Sequence, residues 1–554
     1  MWRCLFIIIL IVIVIGIILI SINPLKSSSI PLNGCLHKDF GNGATVCVCN
    51  ENHCDTISRV SKIDSSRYMV FTSNKYGLRF DKQIKYFENR TDSSLLEDVC
   101  EQEAINCVAI NGTDRVLVVD KAEEVRKIII DREKMFQKIF GWGGSFTDAA
   151  GVNVNSLSRN LQNKLMRSYF SEDGLEYNLG RVPIGASDFS LRPYTYEDTE
   201  DDDPNCEDPE LTKFKLAEED YKYKLPIIQE AQKLSSNHLR LIASPWSAPK
   251  WMKESKRYYG TVGYLKKRFY QSWANYFIKF LEAYKRENVT IWGLTPGNEP
   301  FLAMGQFSVP GMVYTVEQMR DFIHYHLGPT LRNSEFSNVM LMAIDDLRPI
   351  LAHSYDKIFA EKEVLKYIDG ISLHWYYGNE ENAHILEDFH NKYPDKLILY
   401  TEACNGYIAN NILLGSWERG EDYAADIIQD MNHWVIGWID WNLALDLKGG
   451  PNVFKNYVDA SIIVNADKDE FYKQPMYYAI GHFAKFVPRD SLRIYSTQCG
   501  TDVSQVAFIK PDGGIVIVIL NKTDKIKKRY ILDSKRGKIE LELSPRSIST
   551  ILYW

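Results

Sequence analysis

The sequence predicts an α/β fold: a (β/α)8 TIM barrel with an accessory β-sandwich built from both chain ends and a small disulfide-bearing β-sheet. Three observations support this prediction. Residues 138–441 alternate short apolar runs with amphipathic stretches, both chain ends show strand-like alternation, and four cysteines crowd residues 35–54. At 554 residues, with 45% hydrophobic and 25% charged residues, the chain has globular composition and is too long for one ordinary domain.

Residues 1–30 are predicted to be a signal peptide or a signal anchor. Arg3 precedes an apolar run from Leu5 to Ile20, which is near the short limit for spanning a bilayer. We expect cleavage before Cys35, and retention as an anchor is the alternative. Either outcome sends the chain into the secretory route.

The secretory route makes disulfides and glycans possible. Four cysteines within twenty residues indicate either a disulfide cluster or a metal-binding knuckle, and an oxidising compartment favours disulfides. Cys100 and Cys107 are candidates for a further short loop. Four sequons fit the same compartment, at Asn89, Asn111, Asn288 and Asn521.

The pattern of the chain ends predicts two accessory units around the barrel. Residues 59–134 and 491–554 contain alternating stretches such as "GGIVIVILNKT" and "RSISTILYW" without a long helix, so we expect them to form a β-sandwich. Residues 31–58 and 444–474 are predicted to form a small antiparallel β domain. The barrel is assigned to residues 135–443 and 475–490.

Eight apolar runs separated by helical stretches are typical of parallel βα units, which close into a barrel. The runs are "KIFGWGG", "EYNLGRVP", "LRLIAS", "TIWGLTP", "VMLMAI", "DGISLHW", "LILYTEA" and "VIGWIDW". A parallel barrel places the C-terminal ends of its strands around one mouth. Polar residues or tryptophan stand at seven of these ends: Arg181, Ser244 and Trp246, Asn298 and Glu299, Asp345 and Asp346, His374 and Tyr376, Glu402, and Asp440 to Asn442.

Two glutamates in this ring predict glycosidic-bond cleavage. Glu299 in "GNEP" follows the fourth run, and Glu402 in "YTEACNGY" ends the seventh. Such cleavage needs one carboxyl group that protonates the leaving oxygen and one carboxylate at the anomeric carbon. If the two groups are about 5–5.5 Å apart, the anomeric configuration is retained; if they are farther apart, it is inverted. Taken singly, each glutamate is more simply explained as a cap or a surface ion pair. Arg181 would keep Glu402 ionised, and Asn298 would donate to the sugar 2-hydroxyl.

The remaining candidates are interpreted in the same way. Trp246 and Trp441 suit stacking on a pyranose, although tryptophan often belongs to the core. Cys404 is expected to be a buried thiol, because no histidine is near it in sequence. No basic run resembles a nucleic-acid footprint. The net charge of −7 would become about −9 without residues 1–34, and about +2 if all 11 histidines were protonated, which favours anionic lipid at low pH.

From about Cys35 to Trp554 the sequence resembles the lysosomal acid β-glucosidases, or glucosylceramidases, of glycoside hydrolase family 30. Long colinear motifs carry the resemblance, among them "GWGGSFTDAAGVN", "SYFSEDGLEYNLGRVPIGASDFSLRPYTYEDT", "ASPWSAPKWMK", "NEP", "HWY", "TEAC", "GSWERG" and "VIGWIDWNLALDLKGGPN".

The resemblance implies a retaining exo-β-glucosidase that releases glucose from glucosylceramide in membranes. It implies no metal or other cofactor, a lysosomal location, peripheral contact with anionic phospholipid surfaces, and a saposin-type activator protein as partner. Glu299 matches the family's acid/base and Glu402 its nucleophile. The sugar-contacting positions match Arg181, Asp188, Trp246, Asn298, Tyr376, Trp441 and Asn456. The disulfides match Cys35 with Cys47 and Cys49 with Cys54.

Three departures from the family pattern bear on aglycone preference. Gly297 replaces the usual alanine, Leu347 a glutamine and Tyr457 a phenylalanine, all expected in loops around the pocket mouth. Two alternatives stay open. One is a retaining β-glycosidase of other specificity, such as a β-xylosidase, a xylanase or a galactosyl-lipid hydrolase. The other is an inactive sugar- or lipid-binding relative, which the presence of both glutamates disfavours.

Overall fold

The computed structural model describes residues 34–87, 126–198, 206–236, 238–259, 263–301, 309–497 and 502–554. The predicted signal segment 1–30, the pair Cys100 and Cys107, and the sequons at Asn89 and Asn111 lie outside the described residues. Within the described ranges, no helix has both the length and the apolar character that crossing a bilayer requires.

The strands of the described residues form three sheets. In chain order they are β1 (His37–Asp39), β2 (Thr45–Cys49), β3 (Arg67–Asn74), β4 (Asp81–Tyr86), β5 (Arg126–Lys138), β6 (Gly141–Ser145), β7 (Leu179–Ile184), β8 (Arg240–Pro245), β9 (Ile291–Leu294), β10 (Met340–Leu347), β11 (Gly370–His374), β12 (Leu397–Glu402), β13 (Gly437–Asn442), β14 (Leu445–Asp446), β15 (Ile462–Asn465), β16 (Glu470–Lys473), β17 (Leu492–Ser496), β18 (Val503–Ile509), β19 (Ile515–Asn521), β20 (Lys527–Asp533), β21 (Gly537–Leu543) and β22 (Ser547–Tyr553).

The α-helices follow the barrel strands in sequence. They are α1 (Asp148–Asn155), α2 (Arg159–Phe170), α3 (Leu225–Leu234), α4 (Tyr270–Arg286), α5 (Val316–Phe322), α6 (Gly328–Arg332), α7 (Arg348–Ile358), α8 (Lys362–Leu365), α9 (His384–Lys392), α10 (Trp417–Asn432) and α11 (Pro475–Ala484). Helix α4 shows why they form: its buried residues, including Trp273, Phe277 and Tyr284, recur at helical spacing and leave its polar residues outside.

Strands β6 to β13 close into a parallel eight-stranded barrel, which confirms the predicted fold class. Each strand overlaps one of the eight apolar runs. Strand β7 is buried along its whole length, as expected where helices cover one face of a strand and the barrel interior covers the other. The barrel therefore brings the C-terminal ends of all eight strands to one mouth.

A nine-stranded sheet combines both chain ends in the order β21-β20-β5-β17-β18-β19-β22-β3-β4. One face of it, with Ile517 and Ile551, forms an apolar cluster of its own. The other face joins the core of the barrel, where the ring of Phe71 lies 4.6 Å from that of Phe486. The β-rich chain ends thus pack against the outside of the barrel.

A buried histidine marks the contact between helix α11 and this sheet. The ring nitrogens of His482 lie 2.8 Å from the Thr550 hydroxyl and 2.9 Å from the Ser73 hydroxyl. Burial lowers the pKa of His482 to about 3. The residue therefore stays neutral in an acidic compartment. The net charge of about +2, which assumes that all 11 histidines are protonated, is too high by at least one unit.

The small sheet has the order β1-β2-β16-β15-β14 and carries two disulfides. They join Cys35 to Cys47 and Cys49 to Cys54, the pairing implied by the resemblance. The expectation of a purely antiparallel sheet is wrong for one pair, because β14 and β15 run parallel. The segment 447–461 between them crosses back before β15 begins, whereas a tight hairpin would have made them antiparallel.

The two described sequons differ in accessibility. Asn288 is exposed after helix α4. Asn521 is fully buried, and its Nδ2 donates to the carbonyl groups of Lys525 and Ser544 at 3.0 and 2.8 Å. The structure therefore argues against a glycan on Asn521, because the atom that would carry the sugar is enclosed and already hydrogen-bonded.

Candidate active site

A cleft of about 530 Å³ opens at the C-terminal ends of the barrel strands. Eight of the nine residues expected to act on a sugar line it: Asp188, Trp246, Asn298, Glu299, Tyr376, Glu402, Trp441 and Asn456. The ninth, Arg181, is fully buried beneath the cleft floor and contacts two of them. The barrel thus gathers residues that are up to 275 positions apart in the sequence into one site.

Glu299 and Glu402 face each other within this cleft. Glu299 follows strand β9, Glu402 ends strand β12, and each is 6% exposed. One carboxylate oxygen of each and a ring nitrogen of His374 all lie within 4.8 Å of one another. Two carboxyl groups this close can act on the same bond. In glycosidases a separation of about 5–5.5 Å goes with retention and a wider one with inversion, and the separation here matches the shorter value.

Three neighbours hold the Glu402 carboxylate. Arg181 donates from Nη1 to Oε2, and the Tyr376 hydroxyl donates to Oε1 at 2.9 Å. The Nδ1 of His374 lies 4.0 Å from Oε1. Burial raises the pKa of Glu402, and the charges of His374 and Arg181 together with the tyrosine hydrogen bond oppose that rise. These contacts orient the carboxylate and favour its ionised form against the effect of burial.

Arg181 is fixed in turn by Asp345 at the bottom of the site. Its Nη2 donates to Asp345 and to Asn298, each at 2.7 Å. The Asp345 carboxylate also accepts from the hydroxyls of Ser244, Thr295 and Thr401 at 2.7–2.8 Å. Burial alone would raise the pKa of Asp345, but Arg181 and His374 hold it well below its usual range. Asp345 is therefore a permanent anion that anchors the guanidinium.

His374 lies between the two glutamates. Its Nδ1 is 2.9 Å from Oε1 of Glu299, and its Nε2 is 3.3 Å from Oδ1 of Asp345. Burial alone would lower the pKa of His374, but the carboxylates of Glu402, Asp345 and Glu299 raise it to about 10. The raised pKa favours a protonated ring, in which each nitrogen donates to one carboxylate, Nδ1 to Glu299 and Nε2 to Asp345. From the sequence, His374 was a polar strand-end residue without an assigned role.

Two tryptophans form one wall of the cleft. Trp246 and Trp441 stack with their ring centroids 5.2 Å apart and their planes 18° apart. The Arg181 guanidinium lies 4.9 Å from one ring and 5.4 Å from the other, a cation–π arrangement. The two tryptophans thus contribute both to the core and to the cleft surface.

Asp188 and Asn456 form a polar pair elsewhere in the lining. The Nδ2 of Asn456 donates to Oδ2 of Asp188 at 2.8 Å. The other oxygen, Oδ1, is buried without a hydrogen-bond partner among the described residues. Burial, reinforced by the charges of Glu402 and Glu299, raises the pKa of Asp188 well above its ordinary value. A buried polar oxygen at a cleft surface suits a hydroxyl group of a ligand.

Sequence reasoning did not assign nine further lining residues to the cleft: Phe189, Val309, Tyr377, Cys404, Tyr407, Asn410, Phe454, Lys455 and Val458. Tyr377 and Tyr407 were within reach of such reasoning, since Tyr377 directly follows "HWY" and Tyr407 is the last residue of "YTEACNGY". The placement of Leu347 in a mouth loop was wrong. It ends strand β10, is 6% exposed and packs with Trp246 and Tyr376, because the strand continues past the end of its apolar run.

Two family models match the chain. They are the Glycosyl hydrolase family 30 TIM-barrel domain over residues 139–487 and the Glycosyl hydrolase family 30 beta sandwich domain over residues 490–551. The chain belongs to glycoside hydrolase family 30. This match confirms the enzyme class expected from the sequence, a glycoside hydrolase.

Relatives of this family 30 hydrolase include proteins of similar length. Putative glucosylceramidase 3 of Caenorhabditis elegans is 41% identical over 514 residues, which cover 92% of each chain. Lysosomal acid glucosylceramidase of Mus musculus is 38% identical over 529 residues, covering 94% of this chain and 95% of the mouse protein. The crystal structure of SrfJ from Salmonella typhimurium matches with a TM-score of 0.76 and 27% identity, covering 88% of this chain and 99% of SrfJ.

Proposed function

We propose that this family 30 hydrolase is a retaining, exo-acting β-glucosidase that hydrolyses glucosylceramide to glucose and ceramide by double displacement. The observation that carries the proposal is the short distance between the two glutamates: one carboxylate oxygen of Glu299 lies within 4.8 Å of one of Glu402. At about 5–5.5 Å one carboxyl group attacks the anomeric carbon directly, without an intervening water. The relatives named glucosylceramidases support the choice of substrate.

In the first step a carboxylate oxygen of Glu402 attacks the anomeric carbon. The bond from that carbon to the ceramide oxygen breaks, and Glu299 donates its proton to the departing oxygen. Arg181 and Tyr376 orient the attacking carboxylate through their hydrogen bonds. The products of this step are ceramide and a glucosyl ester on Glu402.

In the second step water cleaves the ester. Glu402 is now neutral, so its repulsion of a charge on Glu299 has vanished, and Glu299 takes a proton from the incoming water. The oxygen of that water bonds to the anomeric carbon, and Glu402 leaves as a carboxylate. His374, 2.9 Å from Glu299, stabilises the anion that Glu299 becomes between the two proton transfers. All groups needed are side chains, so the reaction requires no metal or other cofactor.

The sugar is held by the remaining cleft residues. The Oδ1 of Asn298 accepts from Arg181, which turns the amide nitrogen into the donor for the sugar 2-hydroxyl. The Oδ1 of Asp188 accepts from further sugar hydroxyls, and Trp246 with Trp441 packs against the pyranose. These contacts fit one glucosyl unit in a cleft of this size.

The rim of the cleft supports a lipid surface as the place of action. Tyr377, Ile408 and Val453 are 63%, 82% and 51% exposed and belong to the loops that line the cleft, beside the cationic Lys455. Exposed apolar groups next to a cation suit anionic phospholipid. We therefore propose peripheral association with anionic membranes in the lysosome, with a saposin-type activator presenting the lipid.

The chemistry is tested by labelling with a 2-fluoro-glucoside and mapping the modified peptide. We expect the label on Glu402, and β-glucose as the first product seen by NMR from the natural substrate. Glu402→Gln should reduce turnover of a fluorogenic β-glucoside to background. A label elsewhere, or α-glucose as the first product, would overturn the mechanism. Glucosyl, xylosyl and galactosyl substrates compared side by side separate this function from the other specificities.

The membrane proposal has its own test. Ile408→Ser with Val453→Ser should weaken co-sedimentation with vesicles rich in phosphatidylserine, while soluble-substrate activity is kept. Ile526→Ser is a matched control, because Ile526 is 62% exposed in the loop between β19 and β20. If the rim variant and the control bound vesicles equally, the exposed apolar residues Ile408 and Val453 would no longer support the proposal of membrane association.

A further inference from the structure

Strand β10 contains a β-bulge beside Glu299. Its register with β11 shifts between Ile344 and Asp346, and Ile344 and Asp345 have φ angles of +77° and +55°. A positive φ at a β-branched residue is strained, and such strain is concentrated at functional sites. Consecutive side chains of a regular strand point to opposite faces. The bulge instead leaves Asp345 and Asp346 both fully buried and both in contact with the site.

The two aspartates hold the backbone on both sides of Glu299. The N–H of Glu299 donates to the carbonyl of Asp345 at 2.9 Å. Pro300 has no N–H, so the next donor along the chain is that of Phe301, which donates to Oδ2 of Asp346 at 2.9 Å. Glu299 itself has a φ of +42°, which a residue other than glycine keeps only where its surroundings impose it.

Asp346 also faces Glu299 electrostatically. Its Oδ1 accepts from the N–H of Leu347 at 2.8 Å, so its carboxylate bridges the end of β10 and the loop after β9. Burial, reinforced by the Glu299 carboxylate, raises the pKa of Asp346 to about 7, and the two backbone donors and His374 oppose the rise. Among the described residues that line the cleft, Asp346 is not found. It therefore acts on the site through Glu299 and the loop that carries Glu299.

We propose that Asp346 is a positioning residue for the acid/base step, which aims the Glu299 carboxyl at the glycosidic oxygen by holding the N–H of Phe301. The inference rests on the proposed role of Glu299 as proton donor. A positioning defect would affect proton transfer more than nucleophilic attack, because Arg181 and Tyr376 hold Glu402 independently of Asp346.

The test compares leaving groups in Asp346→Asn. Proton donation matters most for a poor leaving group, such as the alcohol of octyl β-glucoside, and least for an activated one, such as dinitrophenolate. We expect the ratio of kcat/KM for the octyl substrate to that for the 2,4-dinitrophenyl substrate to fall about tenfold. The ratio cancels the fraction of folded enzyme. If Asp346→Asn yields no soluble protein, Asp346→Ala, which removes both acceptor oxygens, gives the same readout.

Two variants complete the experiment. Asp369→Asn is a matched control, because Asp369 accepts the N–H of Leu341 at 2.7 Å at the opposite end of β10; its ratio should stay that of the wild type. Glu299→Gln should show a larger fall than Asp346→Asn. An unchanged ratio in Asp346→Asn, with the fall present in Glu299→Gln, overturns the positioning role alone. An unchanged ratio in Glu299→Gln overturns the acid/base role, and with it the inference.

Discussion

Replacing Tyr376 by phenylalanine removes one hydrogen-bond donor from Glu402 and leaves the ring in place. The hydroxyl donates to Oε1 at 2.9 Å, and both residues are at least nine-tenths buried, so water cannot substitute for it freely. A hydrogen bond to a charged group is worth about 1.5–3 kcal/mol. Since about 1.4 kcal/mol corresponds to a factor of ten in rate, kcat/KM should fall about tenfold to a hundredfold.

The pH dependence separates this effect from general damage. The tyrosine hydrogen bond favours the ionised form of Glu402, so its loss raises the pKa of that carboxyl. Glu402 must be ionised to attack, and the acidic limb of kcat/KM against pH should therefore move to higher pH. The assay is hydrolysis of 4-methylumbelliferyl β-glucoside at pH values across the acidic range.

Tyr423→Phe is the control for this prediction. The Tyr423 hydroxyl is buried and donates to Asp440 at 2.7 Å, a carboxylate that has no role in the proposed reaction. Its loss should reduce stability without moving the acidic limb. If Tyr376→Phe left the acidic limb in place and lost no more activity than Tyr423→Phe, the assignment of Tyr376 to the support of Glu402 would be refuted.

Three further predictions concern the cleft wall, the disulfides and the buried histidine. Trp246→Ala removes the aromatic face proposed to pack against the pyranose, a burial worth about 1.5–3 kcal/mol, so kcat/KM should fall about tenfold to a hundredfold; a change below threefold would contradict a sugar-contacting wall. Serine replacement of the Cys35–Cys47 pair, whose cysteines are 12 residues apart, should lower the free energy of unfolding by about 3 kcal/mol. Serine replacement of the Cys49–Cys54 pair, whose cysteines are 5 residues apart, should lower it by about 2 kcal/mol. Urea titrations measure both values. The reverse order would argue against the loop-entropy account. His482 has a folded pKa of about 3, below the unfolded value of about 6.5, so its contribution to stability is full above pH 6.5 and is lost as the pH falls toward 3. His482→Gln should therefore flatten the decline of Tm between pH 6.5 and 4, and an unchanged slope in differential scanning fluorimetry would show that other groups cause the decline.

The barrel could be predicted because its strands are buried on both faces and therefore appear as short, continuous apolar runs. Strand β12, for example, lies within the run "LILYTEA". The direction of the strands then determined that residues such as Glu299 and Glu402 meet at one mouth. The parallel pairing of β14 with β15 could not be predicted, because it depends on the path of the segment between them and not on any local pattern.

Strand patterns could not predict which residues contact the two glutamates and position them. A period-two pattern assigns Asp345 and Asp346 to opposite faces, so at most one of them would be placed inside the barrel. The bulge at Ile344 and Asp345 removes that alternation, and Asp345 there contacts Arg181, His374 and the Glu299 loop. His374 is similarly ambiguous, since its role comes from lying between carboxylates contributed by three other strands or strand ends. Strand-end position thus predicted which residues gather at and beneath the mouth of the barrel, whereas their hydrogen-bond partners are decided only when the barrel closes.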